Sequence, residues 1–269
     1  MPVDDLNLDS LDCGLKTLSL LSSGYAISLV RLDELCMQLL EAGIYLTPLE
    51  QTRFLEFKYE KRKIEWLGGR IAAKHAAMRL LTPDRPHNLM NWHEWCVVPD
   101  KHNRPFIESS GTTRKNSAPY ISISHSNGLA VAMAAATPCG IDIQKVSSTV
   151  TRVKEKFMRP EENAILTQCR CGHIAEMDAA ARLTLLWSAK EAFKKTFFLT
   201  PLPGFLELSL IKASGTLKKG LVLDFIYSGQ DALCKEKKVF SAAAGFHEDF
   251  AVAATSVSSR DCIQPGGIG

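Results

Sequence analysis

In the run Trp187-Ser188-Ala189-Lys190-Glu191-Ala192-Phe193-Lys194-Lys195, one carboxylate stands among three ammonium groups, a helical turn from a tryptophan. A second acid, Asp142, interrupts the short apolar run Gly140-Ile141-Asp142-Ile143-Gln144. An acid inside an apolar strand is costly unless something pairs with it. Two acids from separate elements, with lysines close by, point to a divalent cation and an anionic substrate sharing one site. Strand alternation turns Asp142 and Gln144 to one face, away from Ile141 and Ile143. A carboxylate and an amide oxygen at that spacing suit Mg2+, which takes oxygen ligands and keeps several waters, so phosphates would complete its shell. Each piece alone has a plainer reading. The helix reads as a solvated amphipathic element with a Glu191–Lys195 pair, and Asp142 as a loop cap or the partner of a lysine.

These groups need elements to hold them. Leu185, Ala189, Ala192, Phe193 and Thr196 recur at helical spacing and predict the buried stripe of a helix over Ala179 to Phe198. Thr47-Pro48-Leu49-Glu50 carries a capping box with proline at the first helical position. Helical character from there runs to about Leu81, where Thr82-Pro83-Asp84 stops it. Strands are predicted at Ala26 to Leu32, Trp95 to Val98 and Pro105 to Glu108. Ile121 to His125 turns at Ser126-Asn127-Gly128 and returns as Leu129 to Ala135, a hairpin. Later strands are expected near Leu206–Ile211, Leu221–Tyr227 and Phe250–Thr255, with Gly111 to Ser117 a flexible loop.

The two halves repeat. Trp66 to Lys74 resembles Trp187 to Lys195, and Leu129 to Ala132 resembles Phe250 to Ala253. The offsets agree, 187 − 66 = 121 and 251 − 130 = 121, with Arg70 standing where the second copy has Glu191. Equal offsets over separate elements predict a duplicated unit. The expected fold is therefore α+β: two pseudosymmetric α/β subdomains with the active site in the cleft between them. Their expected bounds are 25–139 and 140–257, after an extension at 1–24 and before a flexible tail at 258–269.

Bulk properties exclude several classes. With 269 residues, 46% hydrophobic and 23% charged, the chain is ordinary for a globular protein. A net charge of +3 is too mild to argue for nucleic acid, and no Gly-rich phosphate loop is present. No run of about 18 apolar residues appears, so no membrane span is expected. Eight scattered cysteines and an acidic start without Lys or Arg fit reduced thiols and a cytoplasmic location. Cys169-Arg170-Cys171-Gly172-His173 lacks the partner pair of a structural zinc site.

Taken in order, Leu67–Lys74 (LGGRIAAK), Asn103-Arg104-Pro105, Ile121–Ser126 (ISISHS), Gly140–Gln144 (GIDIQ) and Trp187–Lys195 (WSAKEAFKK) resemble the 4'-phosphopantetheinyl transferases, in their larger pseudo-dimeric class. The resemblance spans about residues 47 to 255. It implies a monomer that binds coenzyme A as co-substrate with Mg2+ and modifies a serine of an apo acyl or peptidyl carrier protein, releasing 3',5'-ADP. By position, Asp142 and Glu191 match the metal carboxylates and Lys195 the motif lysine. Ser124 and His125 match the segment that holds the 3'-phosphate, and Arg53 and Arg104 match cationic positions that contact coenzyme A. Lys190 is a second, weaker candidate for the leaving phosphate. The departure is Gln144, where many members carry a third acid; an amide supplies oxygen without charge. The competing reading is a non-catalytic coenzyme A or carrier-protein binding module.

Overall fold

The computed structural model describes residues 24–36, 42–82, 91–109, 118–168, 177–196, 203–216, 220–228 and 239–257. The expectations for the extension up to residue 23, the loop 111–117, the Cys169–His173 run and the tail 258–269 lie outside those residues. The described residues form two compact units, one of residues 24–137 and one from Pro138 onward.

The first unit runs β1 (Tyr25–Arg31), the short helices α1 (Leu32–Cys36) and α2 (Ala42–Tyr45), α3 (Pro48–Leu55), α4 (Glu60–Leu81), β2 (Trp95–Pro99), β3 (Pro105–Ser109), β4 (Tyr120–Ser126) and β5 (Leu129–Ala135). The capping box at α3 forms as its sequence predicts: the Glu50 N–H donates to Thr47 Oγ1 and the Thr47 N–H to Glu50 Oε2. Its strands make an antiparallel sheet in the order β1-β5-β4-β3-β2. The β4–β5 turn puts Asn127 and Gly128 both at positive φ, 40° and 93°, the conformation that a two-residue hairpin of matching twist demands. Leu67, Ile71, Ala72 and Ala76 of α4 pack on Val30 of β1 and on Ala130, Ala132 and Ala134 of β5, and the alanines let helix and sheet lie close.

The second unit repeats this order. It runs β6 (Cys139–Lys145), a short α5 (Thr149–Arg152), α6 (Pro160–Gln168), α7 (Ala179–Thr196), β7 (Leu208–Thr216), β8 (Gly220–Tyr227), β9 (Val239–His247) and β10 (Phe250–Ser256). Its sheet has the order β6-β10-β9-β8-β7, again with the first strand beside the last. The expected stripe Leu185, Ala189, Ala192, Phe193 and Thr196 is buried. β9 escapes a reading by residue type because its middle, Ser241-Ala242-Ala243-Ala244-Gly245, has low strand propensity. It pairs with β8 and β10, and its small residues fill the space under α7.

The same polar anchor sits in both units. Lys74 of α4 donates to Glu50 (2.6 Å) and to the carbonyls of Tyr45 (2.7 Å) and Trp92 (3.1 Å). Lys190 of α7 donates to Glu162 (2.8 Å) and to the carbonyls of Phe157 (2.7 Å) and Phe205 (3.3 Å). Oε1 of each glutamate accepts a strand N–H, from Val97 in one case and Leu210 in the other. Burial lowers the pKa of both lysines and the facing glutamate raises it back; each pair is satisfied internally and holds its helix in register.

This anchor corrects the helix alignment. The last strands do repeat at 253 − 132 = 121, since Ser28 faces Ala132 and Asp142 faces Ala253, whereas the first strands repeat at 142 − 28 = 114. The helices repeat at 190 − 74 = 116, not 121. The Trp66–Trp187 match is therefore an accident of two alanine-rich helices. The first-unit counterpart of Glu191 is His75, not Arg70, and that of Lys195 is Arg79.

Candidate functional site

Asp142 and Gln144 lie on the face of β6 turned to α7. Gly140 shares that face, and a Cβ there would stand 1.9 Å from the Ala192 carbonyl oxygen, so only glycine lets the helix come so near. Close approach puts the end of α7 over the strand. Lys195 Nζ donates to Asp142 Oδ1 at 2.8 Å and to the Ile141 carbonyl at 2.9 Å. The Asp142 side chain is 9% exposed and that of Lys195 28%, so the pair is partly shielded from water and stronger than a surface ion pair. Glu191 lies one turn before Lys195, 25% exposed, with Lys194 Nζ 3.4 Å from its Oε1. Lys194 also sits over the Phe205 ring at 4.0 Å, within a cluster in which Trp187 meets Phe157 and Phe205. The Glu191–Lys195 pair expected for a solvated helix is thus replaced: Lys195 turns to Asp142, and Lys194 takes Glu191.

Among the described residues no group of three or more His, Cys, Asp and Glu gathers around a point. The donors here are two carboxylates, with the Gln144 amide oxygen on the same strand face as Asp142. That hard-oxygen set, half shielded and flanked by cations, fits Mg2+ together with phosphate oxygens.

A separate cavity of about 230 Å³ lies within the first unit, lined among others by Arg62, Glu65, Trp66, Arg70, Asn103 and His125. Arg62 Nη1 stands 3.4 Å from His125 Nε2, and Glu65 Oε1 3.9 Å from its Nδ1. The Arg70 guanidinium stacks on the Trp66 ring at 3.7 Å, with its Nε buried and without a hydrogen-bond partner. Burial pulls the Arg70 pKa down to about 10, so it stays cationic at neutral pH. Three basic side chains converging on a concave wall can receive an anion.

The other expected residues are placed differently. Ser124 is buried, and strand alternation puts it on the face of β4 opposite to Ile123 and His125, which line the cavity. Arg104 lies between two cavity residues, Asn103 and Pro105; its backbone N–H donates to Asp100 Oδ1 (2.9 Å), and burial lowers its pKa. Arg53 is on the surface of α3, paired with Glu56. Lys190 is wholly buried on Glu162, and its ammonium does not face the Asp142–Lys195 contact. Residue types alone did not single out Glu162, Glu65 or Arg62. For Glu162 a signal existed: Pro160-Glu161-Glu162 repeats Pro48-Leu49-Glu50.

Residues 138–254 match the 4'-phosphopantetheinyl transferase superfamily. The enterobactin synthase component D of Escherichia coli O157:H7 is 31% identical over 162 residues, which are 58% of this chain. That match spans 65% of the relative's own length, slightly under two thirds. A holo-[acyl-carrier-protein] synthase of Geobacillus sp. (strain WCH70) is 29% identical over 106 residues, 39% of this chain and 86% of that protein. A holo-(acyl-carrier-protein) synthase of Bacillus anthracis, solved in complex with CoA, is 25% identical over 41% of this chain and 92% of its own, with a TM-score of 0.36. The residues that match the 4'-phosphopantetheinyl transferase superfamily, 138–254, include the strand and helix on which Asp142, Glu191 and Lys195 stand.

Proposed function

We propose that this protein transfers the 4'-phosphopantetheine group of coenzyme A to a serine hydroxyl of an apo acyl or peptidyl carrier protein. The serine oxygen forms a bond to phosphorus, the bond to 3',5'-ADP breaks, and the serine proton leaves with a base. The observation that carries this reading is the Lys195–Asp142 contact with Glu191 one turn away, inside the residues that match the superfamily.

Asp142, Glu191 and the Gln144 side-chain oxygen are the residues that would hold Mg2+, which when bound supplies charge to the pyrophosphate and polarises the phosphorus. Glu191, more exposed than Asp142, is placed to take the serine proton directly or through water. Lys195, bonded to Asp142, neutralises charge on the leaving phosphate. Phosphoryl transfer needs such alignment and neutralisation more than covalent help. The first-unit cavity of His125, Arg62 and Arg70 suits a phosphate of coenzyme A. Arg104 flanks it; Arg53 and Ser124 rest on the resemblance alone. A cytoplasmic monomer is our reading too, supported by the resemblance.

Incubation with coenzyme A, Mg2+ and a panel of apo carrier proteins, followed by intact-mass spectrometry, tests the proposal. A phosphopantetheine increment on a carrier serine is expected. No increment on any carrier overturns it in favour of a binding module.

A further inference from the structure

The second-unit site has a counterpart in the first unit, built from different chemistry. Both helices are pinned by the same buried lysine, Lys74 or Lys190. One residue later α4 carries His75 and α7 carries Glu191; five residues later they carry Arg79 and Lys195. Arg79 Nη1 lies 3.4 Å from the Ile27 carbonyl, as Lys195 Nζ lies 2.9 Å from that of Ile141. The next strand residues are Ser28 and Asp142, each opposite the equivalent alanine of its neighbouring strand. Ser28 Oγ is 2.7 Å from His75 Nδ1, and both residues are 3% exposed. Where the second unit holds two carboxylates, the first holds a hydroxyl and an imidazole already bonded to each other.

We propose that the Ser28–His75 pair is a metal-free tie, joining β1 to α4 where a divalent cation joins β6 to α7, and that carboxylates placed at these two positions make a second divalent-cation site. A neutral hydroxyl and imidazole cannot compensate the dehydration of a hard dication, which demands charged oxygens. The proton shared between Ser28 Oγ and His75 Nδ1 occupies the lone pair that an ion would need. The backbone frame is nevertheless that of the second unit. This inference rests on the metal reading of Asp142 and Glu191, and the following test separates the two.

Mn2+ alone is titrated into the full-length protein, and free Mn2+ is read by electron paramagnetic resonance. One ion per wild-type chain is expected; none overturns the Asp142–Glu191 reading itself. S28D/H75E placed in a D142A/E191A background isolates the first unit. One ion there, against none in the D142A/E191A parent, supports the counterpart site, and none in a folded variant overturns it. Ser28→Asp alone, which keeps the imidazole as a nitrogen ligand, serves should two buried acids prevent folding. Ser28→Ala tests the tie without added charge. It should lower the thermal midpoint by about 2–4 °C, equally with and without Mn2+. An unchanged midpoint, or a loss that Mn2+ repairs, overturns the tie.

Discussion

Lys195 and Asp142, 53 positions apart in sequence, meet at 2.8 Å, and the same ammonium also bonds the carbonyl preceding that acid. The last turn of α7 is thereby fastened to the middle of β6. Glu191, on the same helix one turn back, is fixed relative to Asp142 by the same contact. The catalytic proposal depends on that fastening.

Asp142→Ala or Glu191→Ala should abolish transfer, with rate losses of about 10²–10⁴-fold or more. Gln144→Ala should only weaken it and raise the Mg2+ concentration needed, because a neutral ligand is replaceable by water. Steady-state rates at varied Mg2+ check both, with chelation expected to stop the wild type. Full activity in Glu191→Ala would sink the mechanism.

Lys190→Ala or Glu162→Ala strands a buried charge and should destabilise the protein by about 3–5 kcal/mol. The double change Lys190→Met with Glu162→Leu should recover much of that loss. Urea denaturation followed by circular dichroism measures it. A Lys190→Ala protein of wild-type stability with weakened coenzyme A binding would instead return this lysine to the ligand site.

Gly140→Ala drives a methyl group into the Ala192 carbonyl and the Thr196 hydroxyl. Helix and strand must separate, at a cost of about 1–3 kcal/mol. Transfer should fall by about 100-fold, since Glu191 and Lys195 move away with the helix. A variant with an unfolding midpoint and rate equal to wild type contradicts the close-approach argument.

His125→Ala and Arg70→Ala should each raise KM for coenzyme A by about 10- to 100-fold, the weight of one charge-assisted contact of about 1.5–3 kcal/mol. If the cavity receives the 3'-phosphate, the same variants should leave KM for 3'-dephospho-coenzyme A within about 2-fold of wild type on the same scale. Equal losses on both substrates point to another phosphate.

Much of the architecture is legible in residue order. The Thr47–Glu50 cap, the Asn127-Gly128 turn and the α7 stripe are local signals, and each forms as read. Asp142 and Glu191 were legible as an acid in an apolar strand and an acid among lysines. The second role of Glu50 was not: the residue that caps α3 is also the partner of Lys74, 24 positions away. Nor was the fate of Lys190 and Lys195, lysines of one motif five positions apart, of which one is wholly buried and the other reaches the site.

The sequence by itself determined most of the element types, the duplication of the hairpin strands and the identities of the acids, because periodicity and capping are short-range properties of the chain. Only the tertiary structure decided which lysine serves which acid. It also decided that the two helices repeat at 116 and not 121, so that His75 and Ser28 stand where the second unit has Glu191 and Asp142. Helix register against a sheet is set by buried contacts such as Lys190–Glu162, made between residues far apart in the chain, and no local pattern encodes it.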